Sequence, residues 1–144
     1  MAETVQEALS KGSLYSDGNS YVFVKMPPGK TSQATAISIA SSARNPFLGL
    51  LMDKDEITFM IDKDDYNASK EIFDKTTHET GSVEYRLITF DVIMAPTLIG
   101  FIAFVGKHLA DAKISVMPFA AYSRDHIFVS VNDFDKAMSI LGAL

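Results

Sequence analysis

The segment Asp91-Val-Ile-Met-Ala-Pro-Thr-Leu-Ile-Gly100 joins the end of an apolar, β-branched run to the start of a helical pattern. A helix N-terminus presents backbone N–H groups without intrahelical partners and a partial positive charge, which suits a carboxylate. Asp91, at the strand end, supplies a carboxylate of its own for an ammonium group. Opposite charges so placed are what a zwitterionic amino acid requires, with the N–H groups of Thr97 to Ile99 on its carboxylate. A turn with a solvated Asp accounts for the same residues taken alone. The other chemical motifs fail on geometry. Ser123, Asp125 and His126 crowd one turn, where side chains diverge, and a triad needs convergence and an oxyanion hole. No Gly-x-Ser-x-Gly elbow occurs. His78, His108 and His126 lack the spacing of metal ligands. Gly29-Lys30-Thr31 resembles the end of a phosphate loop, but Val24 stands where that loop needs its first Gly. Asp62-Lys63-Asp64-Asp65 lacks the Gly and the final Glu of a calcium loop, having Asn67 and Phe73 there. Asn67-Ala68-Ser69 fits a glycosylation sequon inside a predicted helix. The expectation is no catalytic residue, no metal and no cofactor, hence not an enzyme.

Composition narrows the partners. Of 144 residues, 47% are hydrophobic and 22% charged, the usage of a globular domain. Cysteine is absent, which removes disulfides, thiolate metal sites and thiol nucleophiles together. Thirteen Lys and Arg against eighteen Asp and Glu give −5 at pH 7, so neither phosphate backbones nor anionic lipid attract the chain. No nucleic acid and no membrane partner is expected. Met1 to Ser10 has no basic region and apolar run of a signal peptide. The apolar stretch Val92–Gly106 falls short of the roughly 20 residues that span a bilayer. A cytoplasmic protein is the expectation.

Hydrophobic spacing supplies the elements that must position Asp91 and its neighbours. Tyr85 to Val92 reads as a strand. Pro96 suits a first helical turn, and Leu98, Phe101, Ile102, Val105 and Leu109 follow at helical spacing, predicting a helix from Thr97 to Ala110. Ile99 and Phe104 fall off that face, which predicts a second packing partner and a homodimer. Lys113–Tyr122 and His126–Val131 read as strands across a polar turn, and Asn132 caps a last helix bearing Phe134, Ala137, Met138 and Leu141. In the N-terminal half, Tyr21–Met26 is a strand ended by Pro27-Pro28-Gly29. Ser32–Ala43 reads as a helix, with a strand as the alternative. Phe47–Met52 and Glu56–Ile61 form a hairpin, and Asp65–Lys75 a helix.

The halves repeat one another. Leu50–Ile61 lies on Ala120–Val131 without a gap, matching Asp55 with Asp125, Ile57 with Ile127, Phe59 with Val129 and Ile61 with Val131. This predicts a tandem repeat of two βαββα units, 1–79 and 80–144, joined by the polar stretch Thr76–Ser82. Ile57, Phe59, Ile61, Ile127, Val129 and Val131 should face helices.

Leu98-x-Gly100-Phe101, Leu109-Ala110-Asp111-Ala112-x-Ile114-Ser115-Val116 and Ala121-Tyr122-Ser123-x-Asp125-His126-Ile127-x-Val129 resemble the second half of small tandem ACT-domain proteins. These are related to the ACT regions of aspartokinase and of cytosolic arginine sensors. The resemblance is weakest from Pro27 to Phe47. It implies a ferredoxin-like α+β fold, with helices on one side of antiparallel sheets and pairing of ACT units. It also implies an allosteric, regulatory role in which an amino acid binds at an interface between units. Carried onto this sequence, the ligand-binding residues are Asp91, Met94, Ala95, Thr97, Leu98 and Ile99, with Ser115 contributed by a strand. Tyr122, Ser123, Asp125 and His126 match the pattern and are assigned first to the hairpin. Without a kinase or dehydrogenase module, such a chain would report its ligand to a regulated protein partner, or merely bind it. A structural dimerisation domain that has lost its ligand is the competing reading. RNA binding is a third, because the RNA-recognition fold shares the element order, but no basic-aromatic stripe accompanies it here.

Overall fold

Alternation in Ile57-Thr-Phe-Met-Ile61 and in His126-Ile-Phe-Val129 marks the centre of each of two units in the computed structural model, which describes residues 1–144. In chain order the elements are α1 (Val5–Lys11), β1 (Ser13–Tyr15), β2 (Tyr21–Met26), α2 (Lys30–Ser42), β3 (Leu48–Met52), β4 (Ile57–Asp62), α3 (Lys63–Ala68), α4 (Lys70–Phe73), β5 (Glu79–Asp91), α5 (Phe101–Asp111), β6 (Met117–Ala120), β7 (Asp125–Ser130) and α6 (Phe134–Gly142). The first unit is Asn19–Glu84. The second combines Met1–Gly18 with Tyr85–Leu144. Residues 1–18, grouped with the first unit on sequence grounds, thus pack with the second.

In the first unit β4 lies between β3 and β2, antiparallel to both, with Ile57 opposite Met26 and Ile61 opposite Leu48. Ile57, Phe59 and Ile61 form the core with Val22, Val24, Ala36, Ile39 and Phe73. Of the two readings of Ser32–Ala43 the helix is correct. Gly29, at φ 120°, turns the chain out of β2, and Ser32, Thr35, Ala36 and Ile39 are buried at helical spacing. The helix predicted over Asp65–Lys75 is instead two short ones broken at Ser69. The predicted connection Thr76–Ser82 is partly strand, since β5 begins at Glu79. Lys63 gathers the ends of the unit: its backbone N–H donates to Ser20 O at 2.8 Å, and its ammonium pairs with Glu84.

In the second unit β5 lies between β1 and β7, and β6 borders β7, all antiparallel. Thr89 faces both Tyr15 and His126. Ile88 and Phe90 of β5 with Ile127 and Val129 of β7 pack against α1, α5 and α6 through Ala8, Phe101, Val105, Leu109, Ala137 and Leu141. The three helices therefore share one face of the sheet. This is a ferredoxin-like α+β arrangement, β-α-β-β-α, to which β1 adds a further strand. Val131, expected among the residues facing helices, opens a 3₁₀ turn over Val131–Asp133 and stays outside the core. Ser130, not Asn132, caps that turn by accepting from the Asp133 N–H.

Both ends of α5 depart from the predicted spans. The helix starts at Phe101 rather than Thr97 because Gly100 adopts φ 89°, Ala2 holds Ile93–Ala95, and Ala95–Leu98 forms a turn closed by Leu98 N–H on Ala95 O at 2.9 Å. Ala2 N–H donates to Ile93 O and Ala95 N–H to Ala2 O, each at 2.8 Å. Its other end closes on Lys113 at φ 61°, with Lys113 N–H donating to Ala110 O and Ile114 N–H to Leu109 O, both at 2.9 Å. This is the Schellman pattern, with Ile114 and Leu109 supplying the apolar contact that goes with it. The turn consumes Lys113–Val116, so the strand expected from Lys113 is shortened to β6.

Candidate functional site

The end of β5, the start of α5 and the β6–β7 turn converge on one cleft of the second unit. Beyond Asp91 the chain cannot enter a helix at once, because Ala2 bonds to it on one side and Met94 N–H donates to Ser123 O at 2.9 Å on the other. The segment Met94–Leu98 is thereby pinned against the hairpin. A cleft of about 510 Å³ remains between them. Met94, Ala95, Leu98, the first residues of α5 and the run Ala120–Asp125 line it.

The first intrahelical bond of α5 runs from Phe104 N–H to Gly100 O, so the N–H groups of Phe101, Ile102 and Ala103 have no partner within the helix. They supply partial positive charge at the cleft. Negative charge comes from two carboxylates. Asp91 Oδ1 accepts from Arg124 Nε at 2.7 Å, and with side chains 49% and 39% exposed the pair remains open to water. Asp125 lines the cleft, and burial pushes its carboxyl above the ordinary Asp value against the opposing influence of His126. Burial also holds the His126 imidazole below its usual value, with Asp125 acting in the other direction. His126 Nδ1 lies 2.8 Å from Thr89 Oγ1, a buried hydroxyl on β5, so this ring is engaged with the sheet. N–H donors that suit an anion, carboxylates that suit a cation and apolar side chains thus lie near one another here. No group of three or more His, Asp or Glu side chains is arranged to hold a metal ion, and no helix is long and apolar enough to cross a membrane.

Of the residues singled out in the sequence, Met94, Ala95 and Leu98 line the cleft, and Asp91 reaches its Arg124 wall. Thr97, Ile99 and Ser115 are not among the lining residues. Ile99 is 89% exposed in the connection before Gly100, and Ser115 is exposed ahead of β6. The free helical N–H groups belong to Phe101–Ala103, not to Thr97–Ile99, and Leu98 N–H is already used by Ala95 O. Phe104 is half-buried, its ring centroid 4.6 Å from that of His108. Arg124 was missed as a site residue. Its polar turn was visible in the sequence, but its ion pair depends on the register of β7 with β5.

Residues 82–143 match the family model of the ACT domain. No curated protein matches the chain. Among solved structures, a protein of unknown function from Vibrio cholerae, described as a possible transport protein, is 23% identical with TM-score 0.68, over 94% of this chain and 91% of that one. The regulatory subunit of aspartate kinase from Thermus thermophilus, in its ligand-free form, is 10% identical with TM-score 0.66, over 90% and 95%. Aspartate kinase from Clostridium acetobutylicum, described as an allosteric enzyme, is 12% identical with TM-score 0.70; 91% of this chain is covered, but only 34% of the kinase. The chain has the ferredoxin-like ACT fold.

Proposed function

We propose that this chain is a non-catalytic regulatory module that takes an α-amino acid in the cleft between Met94–Leu98 and Ala120–Asp125, and that its occupancy is read by a protein partner. One observation carries the reading: within the segment matched to the ACT domain, the first residues of α5 with their N–H groups, Asp125, and Arg124 in its ion pair with Asp91 meet at one cleft. The ligand carboxylate would meet Phe101–Ala103, and its ammonium would compete with Arg124 for Asp91. Aspartate kinase regulatory subunits of the same fold lend the regulatory part its support. A thermal-shift screen of the twenty amino acids tests it, since ligand at a hundred times its Kd adds about 2.7 kcal/mol to stability. Absence of any shift at millimolar concentration rejects the ligand.

A second reading, a structural association domain without ligand, draws on a separate observation. Asp91 already has its cation in Arg124, and the cleft is flanked by Ile99, 89% exposed, and Tyr122, 92% exposed. Apolar side chains standing that far into water are suited to a second copy of the chain.

A further inference from the structure

The first residues of the chain reach the cleft of the second unit from outside. Ala2, 1% exposed, runs parallel to Met94 and bonds to the residues on either side of it, while Met94 N–H donates to Ser123 O. Ile93–Ala95 therefore lies between two backbones, that of Ala2 and that of the hairpin carrying Arg124 and Asp125. Ala2 is in turn tied to α1. Glu3 N–H donates to Glu7 Oε2 at 2.9 Å, and Thr4 Oγ1 accepts from Glu7 N–H at 3.2 Å.

The seating of residues 1–15 is shallow. Only Ala2 and Ala8 among them are buried, and β1 is three residues long. A cavity of about 270 Å³ lies beneath them, with Leu9 and Leu14 on one side and Phe90, Phe101, Leu141 and Leu144 on the other. Side chains that face a void lose dispersion partners, so this joint opens at lower cost than a packed one. Gly12 sets how closely it closes. A Cβ there would come within 2.6 Å of Ala8 O and 3.0 Å of Val92, so a side chain must move the turn between α1 and β1. We propose that residues 1–15 are a releasable strap governing the amino-acid cleft: docked, it holds Ile93–Ala95 against the hairpin, and released, it frees that wall. This rests on the reading above only for the identity of the occupant. Occupant and strap favour the same state, so each should strengthen the other.

The test is amide hydrogen exchange on the full chain. In the ligand-free wild type, Ala95 and Met94 should be protected to a similar degree, and less than Val105 and Leu109 inside α5. Gly12→Ala, which lies outside the cleft, should speed exchange at both wall amides about tenfold and leave Val105 and Leu109 within about twofold. Ala2→Asp, which puts a charge in a buried position, should do the same from the other end. A folded variant in which Met94 exchanges as in wild type overturns the proposal, since the hairpin then holds the wall unaided. So does equal acceleration of Val105 and Leu109, which makes the strap inseparable from the core. An amino acid that raises the wild-type Tm should slow exchange at Ala95 and Met94 and bind Gly12→Ala about tenfold more weakly. Equal affinity for a variant with a freed wall overturns the control of the cleft by the strap. If none of the twenty amino acids binds, the amino-acid reading falls, and the strap is decided by the ligand-free rates.

Discussion

Replacing Asp91 by asparagine separates the charge of the site from its shape. The carboxylate accepts from Arg124 Nε at 2.7 Å, and the side-chain amide of the variant would keep an oxygen in the same place. Side chains 49% and 39% exposed put the pair among surface ion pairs, which contribute about 0–1 kcal/mol. Asp91→Asn should therefore cost less than about 1 kcal/mol, a Tm shift of roughly 2–5 °C for a chain of this size. Ligand binding should respond more. A charge-assisted hydrogen bond to the ammonium contributes about 1.5–3 kcal/mol, but Arg124 must first be displaced, which brings the net loss toward the lower end. The expected result is about a tenfold rise in Kd, measured by calorimetry with the amino acid found in the thermal screen. The ratio of variant to wild-type Kd should shrink as salt is raised, because both partners are solvent-facing. An unaltered Kd in a variant of unaltered Tm refutes the ammonium role. A stability loss beyond about 3 kcal/mol would refute the description of the pair as a surface interaction.

Three further outcomes follow from particular residues. Lys113→Gly should raise stability by about 0.5 kcal/mol and Lys113→Val lower it by about 1 kcal/mol in urea unfolding, since φ 61° is strained for any side chain and most for a β-branched one. Asp125 holds its proton more tightly in the fold than in the unfolded chain, so its stabilising contribution is complete at acid pH and is lost as pH rises through the raised folded value. Asp125→Asn should accordingly be more stable than wild type at about pH 7, with the advantage gone at about pH 3; an equal difference at both would reject the buried-carboxyl assignment. If Ile99 and Tyr122 meet a second copy, light scattering at tens of micromolar should give twice 15.8 kDa, and Ile99→Glu should return the monomer mass; a wild-type mass of 15.8 kDa rejects self-association through this face.

What the sequence makes legible is whatever depends on near neighbours. Alternation at Ile57, Phe59 and Ile61, and again at Ile127 and Val129, identifies the inward faces of β4 and β7, because the period of a strand is local. Met94, Ala95 and Leu98, which line the cleft, are pointed to by the resemblance to ACT domains rather than by periodicity. Local logic fails where a distant partner decides the conformation. β1 is three residues long and exists through its pairing with β5, so no periodicity announces it. Pro96 and Leu98 look helical, but Ala2 bonds to Ile93 and Ala95 just before them and the chain makes only one turn there, and a residue so remote in sequence leaves no mark on the pattern. Lys113 sits at a position usually given to glycine, which hid the turn that shortens β6. Arg124 and Asp125 joined the site through the β5–β7 register, which composition does not reveal.

The meeting of Ser20, Lys63 and Glu84 bears on how the chain reaches this structure. The first unit is one unbroken run, so all its contacts can form as soon as Glu84 has been synthesised. α1 and β1 are made earlier yet have no partner until β5 and α6 exist, leaving their apolar residues exposed in the interval. Ser13 must then find Asp91 across the whole intervening unit, a closure that a disordered loop of that length would make slowly. A first unit already folded, with Ser20 and Glu84 both bonded to Lys63, would shorten that closure by holding its own two ends near one another.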